Sequence, residues 1–237
     1  IIGNIKEGNI DEAKKMLYSI SHRGPDKLRV LETNNALLAF ARLKIIDFKD
    51  RSMQPMISED KKHVLIFNGE IYNYKKLKIK IANKYNFKTS SDTEVLLAML
   101  IIYGSDALNY VNGMFSFCYY DVENQIFTLA RDRFGQKSLY YSIYKHSLYF
   151  SSEIKGLLAA GIDNSPDYKS ISDYLHFNLL DCNENTWFND IKQLKAGEYI
   201  KIKDAKIINK VQWYDITKIK KIFIPRKLEE KKALINK

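Results

Sequence analysis

Apolar and polar positions change period several times along the chain, and each change marks an element. In "NIDEAKKMLYSIS" (9–21), Ile10, Ala13, Met16, Leu17 and Ile20 recur at the spacing that gathers them on one helix face. Asn9 can cap that helix, with Glu12 three residues later as in a capping box, and Gly24 and Pro25 in "SHRGPD" stop it. Next come paired apolar runs joined by short polar turns: "LRVLETNNALLAFARLKIID", "FSFCYYDVENQIFTLARD", "SLYYSIYKHSLYFSSE" and "GEYIKIKDAKIINKVQWY". Aromatic and β-branched residues flank Asn, Asp, Lys or His in each, the signature of a β-hairpin and so of antiparallel pairing. "ALLAF" and "FSFCYY" are apolar on both faces, which predicts sheets covered on one side by another sheet and on the other by helices.

The strongest covering helix is "SSDTEVLLAMLIIYG", where Ser91 and Glu94 form a second capping box and Gly104 ends the run. "SSEIKGLLAAG" and "DYKSISDYLHF" predict two more helices, and "YKKLKIKIANKY", ambiguous in period, is assigned to a helix. "VLIFNGEIYNY" (64–74) resists the pattern. Asn68-Gly69 is the strongest short hairpin signal, yet no clean return strand follows it.

Composition narrows the class. At 237 residues the chain is long enough for a sizeable core, and 46% hydrophobic content excludes intrinsic disorder. The net charge of +10 raises nucleic acid as a partner, but Lys is scattered among Ile and Asn, with neither an Arg-rich patch nor a recognition module. No apolar run approaches the ~18 residues of a membrane span, and no signal peptide opens the chain. Two cysteines, Cys118 and Cys182, cannot build a disulfide framework, so a reducing cytoplasm is the expected location. No internal repeat or linker divides the chain. One domain over 1–215 is expected, with 216–237 a connection and the start of a helix leading to something further.

Familiar catalytic machinery is missing. There is no HExxH, Cys-x-x-Cys or Walker loop, and His22, His63, His146 and His176 are dispersed, as turn or surface residues are. Cys118, mid-strand among aromatics, reads as a small buried hydrophobe, and Cys182 lies in a polar loop with no base beside it. Polar residues at element ends remain as candidates. Arg42 interrupts an apolar strand, where it either snorkels, pairs structurally or presents its fork to a carboxylate. Asp92 sits in the first turn of its helix, a position that complementing the helix dipole already explains. Asn68-Gly69 could aim two N–H groups at one oxygen, or could simply be a turn.

Taken together, "SHRGPD", "ARLKIID" followed by "QPM", "FNGEIYNY", "TSSDTEVLL", "GMFSFCYYD", "RDRFGQKSLYY" and "SSEIKGLL" resemble, in order and spacing, the N-terminal glutaminase domain of glutamine-hydrolysing asparagine synthetase, a class II glutamine amidotransferase. The resemblance runs from Ile1 to about Tyr214, with Ser138 standing where the family usually has Pro, a turn change not expected to touch the chemistry. It implies the α+β N-terminal nucleophile fold, a four-layer αββα sandwich of two antiparallel sheets. It also implies a site. An N-terminal Cys thiol attacks the side-chain amide of L-glutamine, and its own α-amine, with a pKa near ~8, serves as base. Asn68 and the Gly69 N–H are implied as oxyanion donors. Arg42 is implied for the substrate's α-carboxylate and Asp92 for its α-ammonium, with Glu70 and the "RLKII" backbone of Arg42, Leu43, Lys44, Ile45 and Ile46 lining the pocket. The 22–26 stretch is expected to order a loop rather than do chemistry.

The sequence departs from the pattern in two ways. The family opens Cys-Gly-Ile or Cys-Ser-Ile, so aligning Ile1 with that Ile places the cysteine two positions before it. Because Arg42, Asn68, Gly69 and Asp92 are intact, that cysteine is expected to lie ahead of the residues given, which by themselves should bind glutamine weakly and hydrolyse none. The Ser-Gly-Gly-x-Asp-Ser loop of the synthetase half is also missing. A C-terminal synthetase domain using ATP and Mg²⁺ is therefore the expected partner, with no cofactor or metal in this domain, no nucleic acid, no membrane, and a homodimer admitted. The expected product is ammonia for amidating aspartate. Another carboxylate, such as a uronic acid in surface polysaccharide synthesis, or a silent glutamine-binding module, stands as the alternative.

Overall fold

The computed structural model describes residues 1–5, 9–33, 35–43 and 49–218, with only the backbone of residues 4 and 5 included. Among the described residues, twelve strands run in chain order as β1 (Ile2–Ile5), β2 (Lys27–Thr33), β3 (Ala36–Arg42), β4 (Met56–Ile57), β5 (His63–Ile71), β6 (Gly113–Asp121), β7 (Ile126–Arg131), β8 (Tyr140–Tyr144), β9 (Ser147–Ser151), β10 (Lys192–Gln193), β11 (Glu198–Lys203) and β12 (Lys206–Gln212). The α-helices are α1 (Ile10–Ser19), α2 (Tyr74–Lys80), α3 (Asp92–Tyr103), α4 (Ile154–Ala159) and α5 (Tyr168–Phe177). The strands form two antiparallel six-stranded sheets, ordered β10-β8-β9-β1-β3-β2 and β12-β11-β7-β6-β5-β4. The four hairpins expected from the sequence are β2–β3, β6–β7, β8–β9 and β11–β12.

Three apolar layers hold the sandwich together. Between the sheets, Ile1, Leu38, Ile66, Cys118, Leu129, Phe150 and Ile200 interdigitate. The outer face of the first sheet packs Ile2 and Ala39 against Met16, Leu17 and Leu157 of α1 and α4. That of the second packs Leu65, Phe67 and Phe117 against Leu77, Val95 and Met99 of α2 and α3. Neighbouring strand residues alternate between layers, Ile1 and Ile66 inward between the sheets, Ile2 and Phe67 outward under helices, so strands apolar on both faces are what this architecture requires. The chain is an αββα sandwich of the α+β class.

Several local expectations change. Ile10 is 41% exposed and stands outside the α1 core, which uses Ala13, Met16, Leu17 and Ile20. Asn9 does cap α1, accepting from the Asp11 N–H at 2.8 Å. Ser91 caps α3 by accepting from the Glu94 N–H at 3.2 Å, but the Glu94 carboxylate reaches further back than a capping box, to the N–H groups of Lys88 and Thr89. The largest change is at Asn68-Gly69. β5 runs without a turn from His63 to Ile71, paired with β6 along its whole length. The bend expected there does not form, because β6 supplies the partner that a return strand would have supplied. Of the tail expected at 216–237, residues 219–237 lie outside the described residues.

Candidate active site

β5 loses its outer partner early. β4 pairs only at Leu65 and Val64, and among the described residues no strand covers the outer edge of β5 beyond them. Side chains take over. The Phe67 N–H donates to Gln54 Oε1 at 2.6 Å, and the Ile71 N–H donates to Asp92 Oδ2 at 3.0 Å. Gly69 lies between them with the same strand parity. Its cross-strand neighbour Phe115 turns both backbone groups the other way, its N–H to Asp132 Oδ2 at 3.1 Å and its carbonyl to the Asp132 N–H at 2.8 Å. Residues opposite each other in an antiparallel ladder either exchange both bonds or neither, so the Gly69 N–H points to the outer edge. That edge is the wall of a 230 Å³ cavity.

The residue at 69 must be glycine. Its φ is +154°, and an added Cβ would lie 2.1 Å from the Met114 carbonyl oxygen. Asn68 faces the opposite side of the strand from Gly69, toward the sheet–sheet layer and Ile1, and both residues line the cavity. Asn68 Nδ2 is buried and has no hydrogen-bond partner among the described residues. An unsatisfied buried N–H costs about 1–3 kcal/mol, so its retention in a cavity wall calls for an explanation.

Ile1, Arg42, Leu43, Asn68, Gly69, Glu70 and Asp92 converge on this one cavity. Lys44, Ile45 and Ile46 lie outside the described residues. Arg42 ends β3, is 4% exposed, and donates from Nη2 to Ser52 Oγ at 2.8 Å and to the Lys49 carbonyl at 3.2 Å, with the Asp50 carboxylate 3.9 Å from Nη1. These contacts set the plane of the guanidinium. Opposite in sign is Asp92, at the N-terminus of α3 and 5% exposed. Burial, with a smaller push from the Glu70 carboxylate, raises its pKa above the usual carboxylate range, while the Ile71 and Thr93 N–H groups pull it down. A cation placed there would relieve that penalty.

Supporting residues fix these positions. Glu94, buried at the first turn of α3, accepts from the Thr89 N–H at 2.6 Å and the Thr89 hydroxyl at 2.7 Å, clamping the approach to Asp92. Gly24 lets the turn after α1 lie against β3, since a Cβ there would sit 2.2 Å from the Ala41 carbonyl oxygen. Arg23 of that turn lines the cavity and pairs with Glu153 at 2.9 Å, as does His22 at 3.0 Å. Ile1 is tied to Ser152, which accepts the Ile1 N–H on Oγ and donates its own N–H to the Ile1 carbonyl, both at 2.9 Å.

Sequence reasoning assigned no site role to Gln54, Ser52 or Asp132, and to Glu94 only a helix-capping one. All four stand inside or beside quoted motifs, but no periodicity separates them from surface polar residues. Asp132 is fully buried and accepts four backbone N–H groups, from Phe115, Phe134, Gln136 and Lys137, which explains "RDRFG" as a loop organiser. Cys118 is buried in the inter-sheet layer, and burial pushes its thiol pKa far up; Cys182 is exposed. Among the described residues there is no metal-binding cluster, and no helix is long and apolar enough to cross a membrane.

Comparison with known proteins agrees with the fold. A family model described as a glutamine amidotransferase domain matches residues 1–214. The chain belongs to this family. Asparagine synthetase 1 of Bacillus subtilis, glutamine-hydrolysing by name, is 37% identical over 80% of this chain and 30% of its own length. A Gibberella zeae protein named amidase chry2 is 32% identical over 81% of this chain and 28% of its own. The chain thus spans less than a third of these curated relatives. Among solved structures, glutamine phosphoribosylpyrophosphate amidotransferase from B. subtilis matches 90% of the chain and 49% of its own, with a TM-score of 0.66 at 17% identity, a likeness of fold. The chain is thus a glutamine amidotransferase domain with an N-terminal nucleophile fold, similar in sequence to part of an asparagine synthetase.

Proposed function

We propose that the cavity binds L-glutamine and releases ammonia from it, and that the full protein passes that ammonia to a synthetase domain that amidates aspartate with ATP and Mg²⁺. The observation carrying the site assignment is the buried, unpartnered Nδ2 of Asn68 beside the outward-facing Gly69 N–H. Glutamine enters as a zwitterion. The Arg42 fork takes its α-carboxylate, and Asp92, with Glu70 beside it, takes its α-ammonium. A cysteine two positions before Ile1 lies within about 7 Å of chain from the Ile1 nitrogen, and so within reach of the cavity.

The cysteine's α-amine removes the thiol proton as sulfur bonds to the amide carbon. The carbonyl becomes an oxyanion between Asn68 Nδ2 and the Gly69 N–H. Collapse breaks the C–N bond, the proton leaves with nitrogen as ammonia, and a thioester remains for water to hydrolyse to glutamate. Among the described residues neither donor is engaged by another group, which is the condition under which they favour the transition state over the resting enzyme.

A second reading keeps this half-reaction and changes the acceptor acid; the relative named as an amidase favours retaining it. The test is the protein expressed from its complete reading frame. Glutamate released from glutamine, and asparagine formed from aspartate only with ATP, are the expected results. A residue other than cysteine at the position two before Ile1 would defeat the glutaminase assignment, and glutamate release without asparagine would select the second reading.

A further inference from the structure

We infer that Gln54 is a positioning residue for the oxyanion donors, acting as a one-residue substitute for the strand missing beside β5. Gln54 is 6% exposed and lies in the cavity wall. Its Oε1 accepts the Phe67 N–H at 2.6 Å, immediately before Asn68. Its Nε2 points to Thr93 Oγ1 at 3.5 Å, the residue after Asp92. One planar amide therefore spans the strand that carries the two donors and the helix terminus that carries the carboxylate. Asp92 closes the same edge at Ile71, two residues beyond Gly69. The Gly69 N–H is held between two side-chain clamps, and neither clamp consumes it.

Phe67 is well buried, so an apolar side chain at 54 leaves its N–H without an acceptor and lets that stretch of β5 shift toward solvent. Movement of about 1 Å at a reacting centre can cost up to 10²-fold in rate. The inference rests on the oxyanion reading of Asn68 and Gly69, and the experiment separates the two.

In the full-length enzyme, Gln54→Met should lower kcat for glutamine hydrolysis about ten-fold with a smaller change in KM. It should also speed hydrogen exchange at the Phe67 amide while leaving Leu65 protected. The Asn68→Ala loss should shrink about ten-fold in the Gln54→Met background, because donors already displaced have less to lose. Losses that multiply independently, or a kcat within about two-fold of the parent in Gln54→Met, overturn the positioning role. If Asn68→Ala alone leaves kcat unchanged, the oxyanion reading is what fails. Should Gln54→Met not fold, Gln54→Glu, which keeps an acceptor for Phe67, must hold kcat within about three-fold; a ten-fold loss in that folded variant refutes the inference.

Discussion

Replacing Asn68 by Ala should separate stability from catalysis. Among the described residues Nδ2 is buried without a partner, an unsatisfied donor that costs the folded state about 1–3 kcal/mol. Ala removes that penalty and loses only a small polar side chain from a cavity wall. The expected change in unfolding free energy is therefore within about 1 kcal/mol of zero, or stabilising. In the transition state the same N–H is expected to meet a full negative charge, and losing one such donor typically costs about 10²–10³ in kcat, some 2.7–4 kcal/mol. Asn68→Asp sharpens the test. It keeps the size but swaps a donor for a carboxylate facing the oxyanion, and should be at least as slow as Ala. The assays are denaturant unfolding of each variant and glutamate release by the full-length enzyme at saturating glutamine. A stability loss above about 2 kcal/mol would mean that Asn68 is a structural strut. A kcat within about three-fold of the parent would mean that no oxyanion forms there.

Asp92 should bind in a pH-dependent way. Burial raises its pKa, so its ionised form is lost as pH falls through a value above the ordinary ~4, and KM for glutamine should rise over that window. Because the folded pKa is raised, ionised Asp92 destabilises the fold at neutral pH. Asp92→Asn should leave thermal stability equal or higher while raising KM and flattening its pH profile; unchanged KM would remove Asp92 from the ammonium site. Arg42→Lys keeps the charge but not the planar fork held by Ser52 and Lys49, and should raise KM about ten-fold or more with kcat less affected. Asp132→Ala removes the acceptor of four backbone N–H groups, one buried and three partly buried, and should cost about 2–4 kcal/mol in denaturant unfolding, identifying Asp132 as architecture rather than chemistry.

What the sequence disclosed follows from how local each signal is. The four hairpins and the α1, α3, α4 and α5 helices were legible because period, caps and turn residues sit within a dozen positions of one another. The two-faced apolar strands disclosed the sandwich, since burial on both sides leaves no polar alternation to read. Asn68-Gly69 misled for a physical reason. The dipeptide's turn preference is a bias of tenths to about one kcal/mol, and nine residues of pairing with β6, which begins 42 residues after β5 ends, outweigh it. The strand then uses the glycine for a different property of the same missing Cβ: room for the Met114 carbonyl and an N–H turned outward. Gln54 was illegible for the complementary reason. Its partners, Phe67 and Thr93, lie 13 and 39 residues away, and only folding shows that β4 stops short of the edge Gln54 completes. A site built where one strand ends early requires its neighbours to supply side-chain acceptors, and those acceptors can be found only by asking of each backbone N–H along the edge where its bond goes. Applied to Phe67, Gly69 and Ile71, that question finds two groups already answered by side chains and, between them, the one aimed at the cavity.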